Sequence, residues 1–265
     1  MPVRIVTDSS AGLPHHVVDE LDITVIDLHI VNSDHDQSTS GLSALELTAQ
    51  YARQLERGGD EGVLALHLSK ELSSTWSAAV TAASIFNQNV AVVDTQSIGM
   101  SVGAAAMAAA RIAQDGAPLP ECIELAEDTL ARSATWLFLP RIEQMWKSGR
   151  ISAATAMLST TLAIKPILQV RSGRIELAAK TRTQAKALTK LTELIVQRAA
   201  NLPVFIAIQQ HEAKDAARLL EKQLRDNLPK GSAIMITDMD PILAVHCGVG
   251  AVGVSTVFSQ APDDN

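Results

Sequence analysis

Short apolar runs recur along the chain at residues 3–6, 23–26, 63–68, 90–93 and 134–139, and each is rich in Val, Ile or Leu. Runs of this length predict strands, while the longer stretches between them repeat with helical period. Trp76, Ala79, Val80 and Ala83 fall on one helical face, and the Ala-rich stretch at 103–113 is apolar nearly all round, as a buried helix would be. Alternation of this kind predicts a mostly parallel sheet with helices on both faces, an α/β fold.

The pattern changes after the polar, basic interruption Lys147-Ser148-Gly149-Arg150. Two β-like runs, 163–170 and 175–179, are joined across Ser172-Gly173, which predicts a hairpin. Thr181 and Gln184 have capping-box spacing before a stripe of Leu188, Leu191, Leu194 and Ile195. A strand at 204–208, a helix with Ala213, Ala216, Ala217, Leu220 and Leu224 on one side, and strands at 233–237 and 253–258 complete a second unit. The expected organisation is an N-terminal α/β domain at 1–148 and a smaller C-terminal α/β domain at 149–265, with a disordered tail at 261–265.

Composition narrows the functional classes. The 265 residues suffice for two cores, and 22 Lys plus Arg against 29 Asp plus Glu gives a net charge of −7, which disfavours nucleic acid and anionic membrane surfaces. The longest apolar stretch, 102–110, is too short to span a bilayer, and the N-terminus lacks the pattern of a secretory signal, so a cytoplasmic protein is expected. Cys122 and Cys247 stand far apart and form no CxxC or thiolate cluster, and no HExxH, Walker or EF-hand pattern occurs, so neither a metal nor a cofactor is expected.

Three first-half strands run into small polar residues: Thr7-Asp8-Ser9-Ser10, then Ser69 with Ser73, Ser74 and Thr75, then Asp94-Thr95-Gln96-Ser97. The carboxyl ends of parallel strands share one sheet edge, so these clusters should converge there as a cradle of O–H and N–H donors for a carboxylate or phosphate. The same residue types are favoured helix caps, and a single cluster reads equally well as a cap. Two further motifs are formal matches. Gly248 to Gly253 fits GxGxxG but precedes a β-like run rather than a helix, so a dinucleotide site is rejected. Gly99-Met100-Ser101-Val102-Gly103 fits GxSxG and, followed by Asp238, Asp240 and His246, defines an alternative: a serine hydrolase acting on an acyl ester.

Thr7-Asp8-Ser9-Ser10, Leu68-Ser69 through Ser73-Ser74-Thr75-Trp76, Val93-Asp94-Thr95, Ser148-Gly149-Arg150-Ile151-Ser152, Ile164-Lys165-Pro166-Ile167-Leu168, Lys180-Thr181-Arg182-Thr183 and His246 with its glycine turn occur in one order. That series resembles the DegV family over essentially the whole chain. The resemblance implies two α/β domains with a long-chain fatty acid, such as palmitate, in a tunnel between them. It also implies a non-catalytic role as the lipid-carrying subunit of a bacterial fatty acid kinase, presenting the carboxylate to a separate ATP-using subunit that forms an acyl phosphate. On the same basis the head group would be held by Thr39, Ser73 and His246, supported by Arg150, with Ser9, Ser40, Ser69, Ser74 and Thr75 as neighbouring hydroxyls. Arg182 would meet the kinase subunit. With 3% aromatics, the tunnel lining is expected to be mainly Leu, Ile, Val, Ala and Met. The chain departs from the family pattern at Thr39-Ser40-Gly41-Leu42, where members commonly carry Thr-Ser-Gln-Pro.

Overall fold

The first four apolar runs form parallel strands in the computed structural model, which describes residues 2–32, 37–152 and 164–261. The chain divides into two compact units, Met1–Ala131 and Arg132–Asn265. In the first, β1 (Arg4–Asp8), β2 (Thr24–Ile26), β5 (Val63–His67) and β6 (Val90–Asp94) make one sheet in the order β2-β1-β5-β6. A separate two-stranded hairpin, β3 (His29–Asn32) and β4 (Gln37–Ser40), precedes β5.

Both faces of the parallel sheet are buried, which is why its strands read as uninterrupted apolar runs rather than alternating ones. Ile5, Leu64 and Leu66 pack on one face with residues of α1 (His15–Leu21), α4 (Met100–Gln114) and α5 (Leu119–Ala131). Val6, Val63 and Ala65 pack on the other with α2 (Ala44–Gly58) and α3 (Thr75–Ala83). Successive side chains of a strand point to opposite faces, so β1 and β5 each feed two cores. The α2 start is set by a full capping box: Glu46 N–H donates to Ser43 Oγ at 3.3 Å, and Ser43 N–H donates to Glu46 Oε2 at 2.8 Å.

The second unit carries a six-stranded sheet in the order β11-β10-β12-β7-β8-β9. Its strands are β7 (Ser133–Phe138), β8 (Lys165–Arg171), β9 (Arg174–Thr181), β10 (Val204–Gln210), β11 (Ala233–Asp238) and β12 (Val252–Phe258). Only β10 and β11 pair in parallel; the other four pairings are antiparallel. Helices α7 (Gln184–Ala199) and α8 (Lys214–Asn227) cover one face, burying Leu188, Leu191, Leu220 and Leu224 against Trp136, Ile206 and Val254. Two short helices, α6 (Glu143–Lys147) and α9 (Pro241–Cys247), follow β7 and β11 respectively.

Three expectations shift here. The run at 134–139 belongs to the second sheet, where β7 exchanges hydrogen bonds with β12 and β8. The division therefore falls between Ala131 and Arg132 instead of after Ser148, and the second unit is as long as the first. The helix after the hairpin is capped by Thr183, whose hydroxyl accepts Lys186 N–H at 3.2 Å, while the Thr181 hydroxyl donates to Lys165 O at 2.7 Å. The hairpin itself is as expected from Ser172 onward: Ser172 and Gly173 take φ of 45° and 80°, as a two-residue turn of matching twist requires. Ala163 and residues 262–265 lie outside the described residues.

Candidate functional site

The carboxyl ends of β1, β5 and β6 lie on one edge of the first sheet, and a buried acid ties their loops together. Asp8 Oδ1 accepts Ser10 N–H at 3.1 Å and Ser10 Oγ–H at 2.5 Å. Asp8 Oδ2 accepts Leu68 N–H and His67 Nδ1–H, each at 3.0 Å. The ring continues outward, because His67 O accepts Thr95 Oγ–H at 2.7 Å, Ser97 O accepts Ser69 N–H at 2.8 Å, and Ser10 O accepts Gly99 N–H at 3.1 Å. Three loops are thus closed into one hydrogen-bonded circuit, a rigid support for side chains that project from it.

Tyr51, the single tyrosine of the chain, extends this circuit from α2: its Oη lies 2.9 Å from His67 Nε2. Burial and the Asp8 charge raise the phenol above its usual range, so Oη keeps its proton and donates. Tyr51, His67 and Asp8 are all sealed from solvent, which makes them supports and not reactive groups. Neither His67 nor Tyr51 stood out in the sequence. Their signals were a lone histidine ending a strand and a lone tyrosine on a helix, and only the fold pairs them.

The hydroxyls divide by task. Ser9 Oγ accepts Leu28 N–H at 3.1 Å and Ser69 Oγ accepts Glu71 N–H at 3.2 Å, so both brace loops. Ser73 Oγ accepts Thr75 N–H at 3.2 Å and lies 3.0 Å from Thr75 Oγ1, which in turn accepts Leu42 N–H at 3.3 Å. Thr39 and Ser40 sit on β4 opposite Ile30 and His29, and the chain then passes through Gly41 directly over Ser73, Ser74 and Thr75. The first unit therefore brings Ser73, Ser74 and Thr75 together under Gly41, with Ser73 half-exposed and Thr75 buried, and Thr39 and Ser40 precede Gly41 on β4. The oxygens of Ser73 and Thr75 thus act as local caps for backbone N–H groups, and the pair keeps one hydroxyl proton beyond the bond between them.

In the second unit, Arg150 and His246 form a distinct pair. Arg150 follows α6, and its Nη1 donates to Ser148 O at 2.6 Å; among the described residues no carboxylate forms an ion pair with it. His246 lies on α9, one position before the buried Cys247. Burial, and then the Arg150 guanidinium, push His246 down to about 4, so the imidazole is neutral at pH 7. Burial pushes the Cys247 thiol up to about 12, which removes it as a nucleophile. Gly248 and Gly250, with φ of 73° and 85°, turn the chain from α9 into β12, and among the described residues no helix follows for a dinucleotide to sit on.

Arg182 is exposed between β9 and α7, beside an open groove of about 510 Å³ whose rim also carries Lys180, Lys186 and Lys190. The strand-to-helix elbow that the hydrolase reading needs does not form at Ser101. Ser101 is a fully buried residue in the first turn of α4, and β6 has already ended at Asp94, so no strand-to-helix elbow presents it. Asp238 accepts from the Gln210 amide, and Asp240 Oδ1 caps α9 by accepting Ile242 N–H at 2.9 Å. Among the described residues no group of three or more His, Cys, Asp or Glu could hold a metal ion, and no helix is long and apolar enough to cross a membrane.

A family model described as an uncharacterised protein of the DegV family matches residues 31–259. The chain belongs to the DegV family. A DegV family protein of Corynebacterium glutamicum, solved by crystallography, is 64% identical and superposes with a TM-score of 0.96 over 99% of this chain and 100% of that one. A DegV family protein of Thermus thermophilus, described by its fatty acid binding, is 25% identical with a TM-score of 0.88, covering 97% of this chain and 100% of its own. DegV of Bacillus subtilis, described as a fatty acid binding protein, is 26% identical with a TM-score of 0.84 over 98% and 100% of the two chains. The two-sheet α/β fold is thus that of DegV proteins that bind fatty acids.

Two outcomes follow from these environments. Asp8→Asn places an amide where donors converge and leaves at least one of them unsatisfied, so urea denaturation should show a loss of about 3 kcal/mol. In the ligand-free protein, the His246 imidazole should titrate by NMR near pH 4 and not near its ordinary 6.5. The unfolded chain binds that proton first, so stability is fully present above pH 6.5 and falls as pH drops from 6.5 toward 4.

Proposed function

We propose that this DegV protein binds a long-chain fatty acid as a non-catalytic carrier. The carboxylate is held by the hydroxyls of Thr39 and Ser73 and by the imidazole of His246, with Arg150 in support. The observation that carries this reading is the Ser73–Thr75 hydroxyl pair, whose oxygens already accept backbone N–H groups and which shares one proton internally, leaving one hydroxyl proton for an external acceptor. The fatty-acid-binding relatives support the ligand class. A carboxylate accepts several hydrogen bonds, and charge-assisted ones are about twice as strong as neutral ones.

Affinity comes mainly from the tail. Each buried CH₂ contributes about 0.8 kcal/mol, so a chain the length of palmitate outweighs any head-group contact. A neutral His246 donates a hydrogen bond without forming an ion pair, which leaves a carboxylate oxygen nucleophilic toward a phosphoryl donor. We place the protein accordingly as the substrate-carrying partner of a separate ATP-dependent kinase subunit that makes an acyl phosphate. Lys180, Arg182 and Lys186 provide a cationic surface suited to an acidic partner, with Lys190 beside them paired to Glu193, and Arg182 lies at the start of α7, where the helix dipole gives a cation no support.

The direct test compares hexadecanoate with its methyl ester by titration. Ser73→Ala combined with His246→Ala should weaken the acid about a hundredfold, two charge-assisted bonds at about 1.5 kcal/mol each, and the ester only severalfold. Equal losses for both ligands would remove the carboxylate cradle. Arg182→Ala should leave acid binding unchanged and slow acyl phosphate formation with a cognate kinase; a fall in lipid binding would instead assign Arg182 to the pocket.

A further inference from the structure

We infer that Thr75 and Gly41 act as positioning residues that fix the hydrogen-bond polarity of Ser73, making its contact with the head group donor-only. The inference deepens the fatty-acid reading and rests on it. Thr75 is fully buried, and its Oγ1 already accepts Leu42 N–H at 3.3 Å. Ser73 Oγ lies 3.0 Å from Thr75 Oγ1, and either hydroxyl could donate across that gap. Among the described residues the buried Thr75 proton has no other acceptor beside it, whereas the half-exposed Ser73 proton can turn outward, so Thr75 is assigned as the donor. Ser73 Oγ also accepts Thr75 N–H at 3.2 Å. A hydroxyl has two lone pairs and one proton. Both lone pairs of Ser73 are therefore taken, and the proton is left on the half-exposed side of the pair, where Ser73 can donate but cannot accept.

Gly41 holds this arrangement closed by having no side chain. A Cβ at that position would stand 2.7 Å from Thr75 Oγ1, 3.0 Å from Ser73 Oγ and 3.1 Å from Ser74 Oγ. Its backbone lies outside the left-handed region, so space alone, and not conformation, demands glycine there. The turn from β4 into α2 can then settle onto the hydroxyls and deliver Leu42 N–H to Thr75. The consequence is a selectivity rule: an acceptor head group, a carboxylate or its acyl phosphate, is favoured, and a donor head group such as an alkylammonium finds no lone pair.

The test measures dissociation constants for dodecanoate and dodecylammonium, equal in tail length, with thermal melting to verify folding. Thr75→Val keeps the shape but removes the proton that fills Ser73, so the acid-over-ammonium preference should fall about tenfold, the worth of one hydrogen bond. Thr75→Ser restores the hydroxyl and should restore the preference. Gly41→Ala leaves every donor in place and should weaken dodecanoate about tenfold by displacing the pair. Equal weakening of both ligands in Thr75→Val, a Thr75→Ser variant as unselective as Thr75→Val, or wild-type affinity in Gly41→Ala would each overturn the inference. If Thr75→Val does not fold, the other two variants decide the matter. A wild-type protein that takes up neither dodecanoate nor hexadecanoate overturns the fatty-acid reading itself, an outcome read before any variant is made.

Discussion

The carboxylate of Asp8 is out of contact with water, yet it is met by donors from Ser10, Leu68 and His67. A buried carboxylate is costly to desolvate, and that cost is offset only when several donors are held in place around it. The requirement works in both directions. Because Asp8 must be satisfied, the ends of β1 and β5 cannot drift apart, and through His67 O and Ser69 N–H the loop after β6 is drawn into the same circuit. Rigid loops would allow hydroxyls of low intrinsic affinity to serve the proposed head-group recognition, since little ordering entropy is left to lose on binding.

That frame explains why small neutral groups dominate the polar edge of the first unit. Serine and threonine are mobile donors when free, but here the lone pairs of Ser9, Ser69, Ser73 and Thr75 accept backbone N–H groups. Each accepted N–H fixes the orientation of its oxygen. A lysine or arginine in the same place would bind an anion more strongly, but it would also neutralise it. In the proposed function, neutral donors hold a carboxylate in place and leave its charge, the property a phosphoryl acceptor needs. The second unit follows the same logic with His246, which burial and Arg150 keep uncharged at neutral pH.

Most of the strands and helices were legible in the residue pattern because burial on two faces produces continuous apolar runs and burial on one face of a helix produces a stripe. The assignment of β7 was not. The run at 134–139 looks like the strands before it, and its place between β12 and β8 depends on partners more than a hundred residues away on one side. The cap of α7 was misplaced by two residues because Thr181 and Thr183 are chemically alike. The Thr181 hydroxyl is claimed by Lys165 across the hairpin, a contact that local spacing does not reveal. The formal GxSxG motif likewise lost its meaning once Ser101 proved to be interior to α4.

The candidate site divides along the same line. Residue types by themselves determined that three strand ends carry hydroxyls and acids, that the chain has material for two cores, and that its acidic balance disfavours nucleic acid, because these depend only on local order and composition. Tertiary structure alone decided that Tyr51 and His67 stand behind Asp8, that Gly41 presses on Ser73 and Thr75, and that Arg150 lowers His246. The physical reason is that hydrogen-bond polarity and proton affinity are set by neighbours within about 4 Å. Those neighbours come from segments that the sequence keeps far apart.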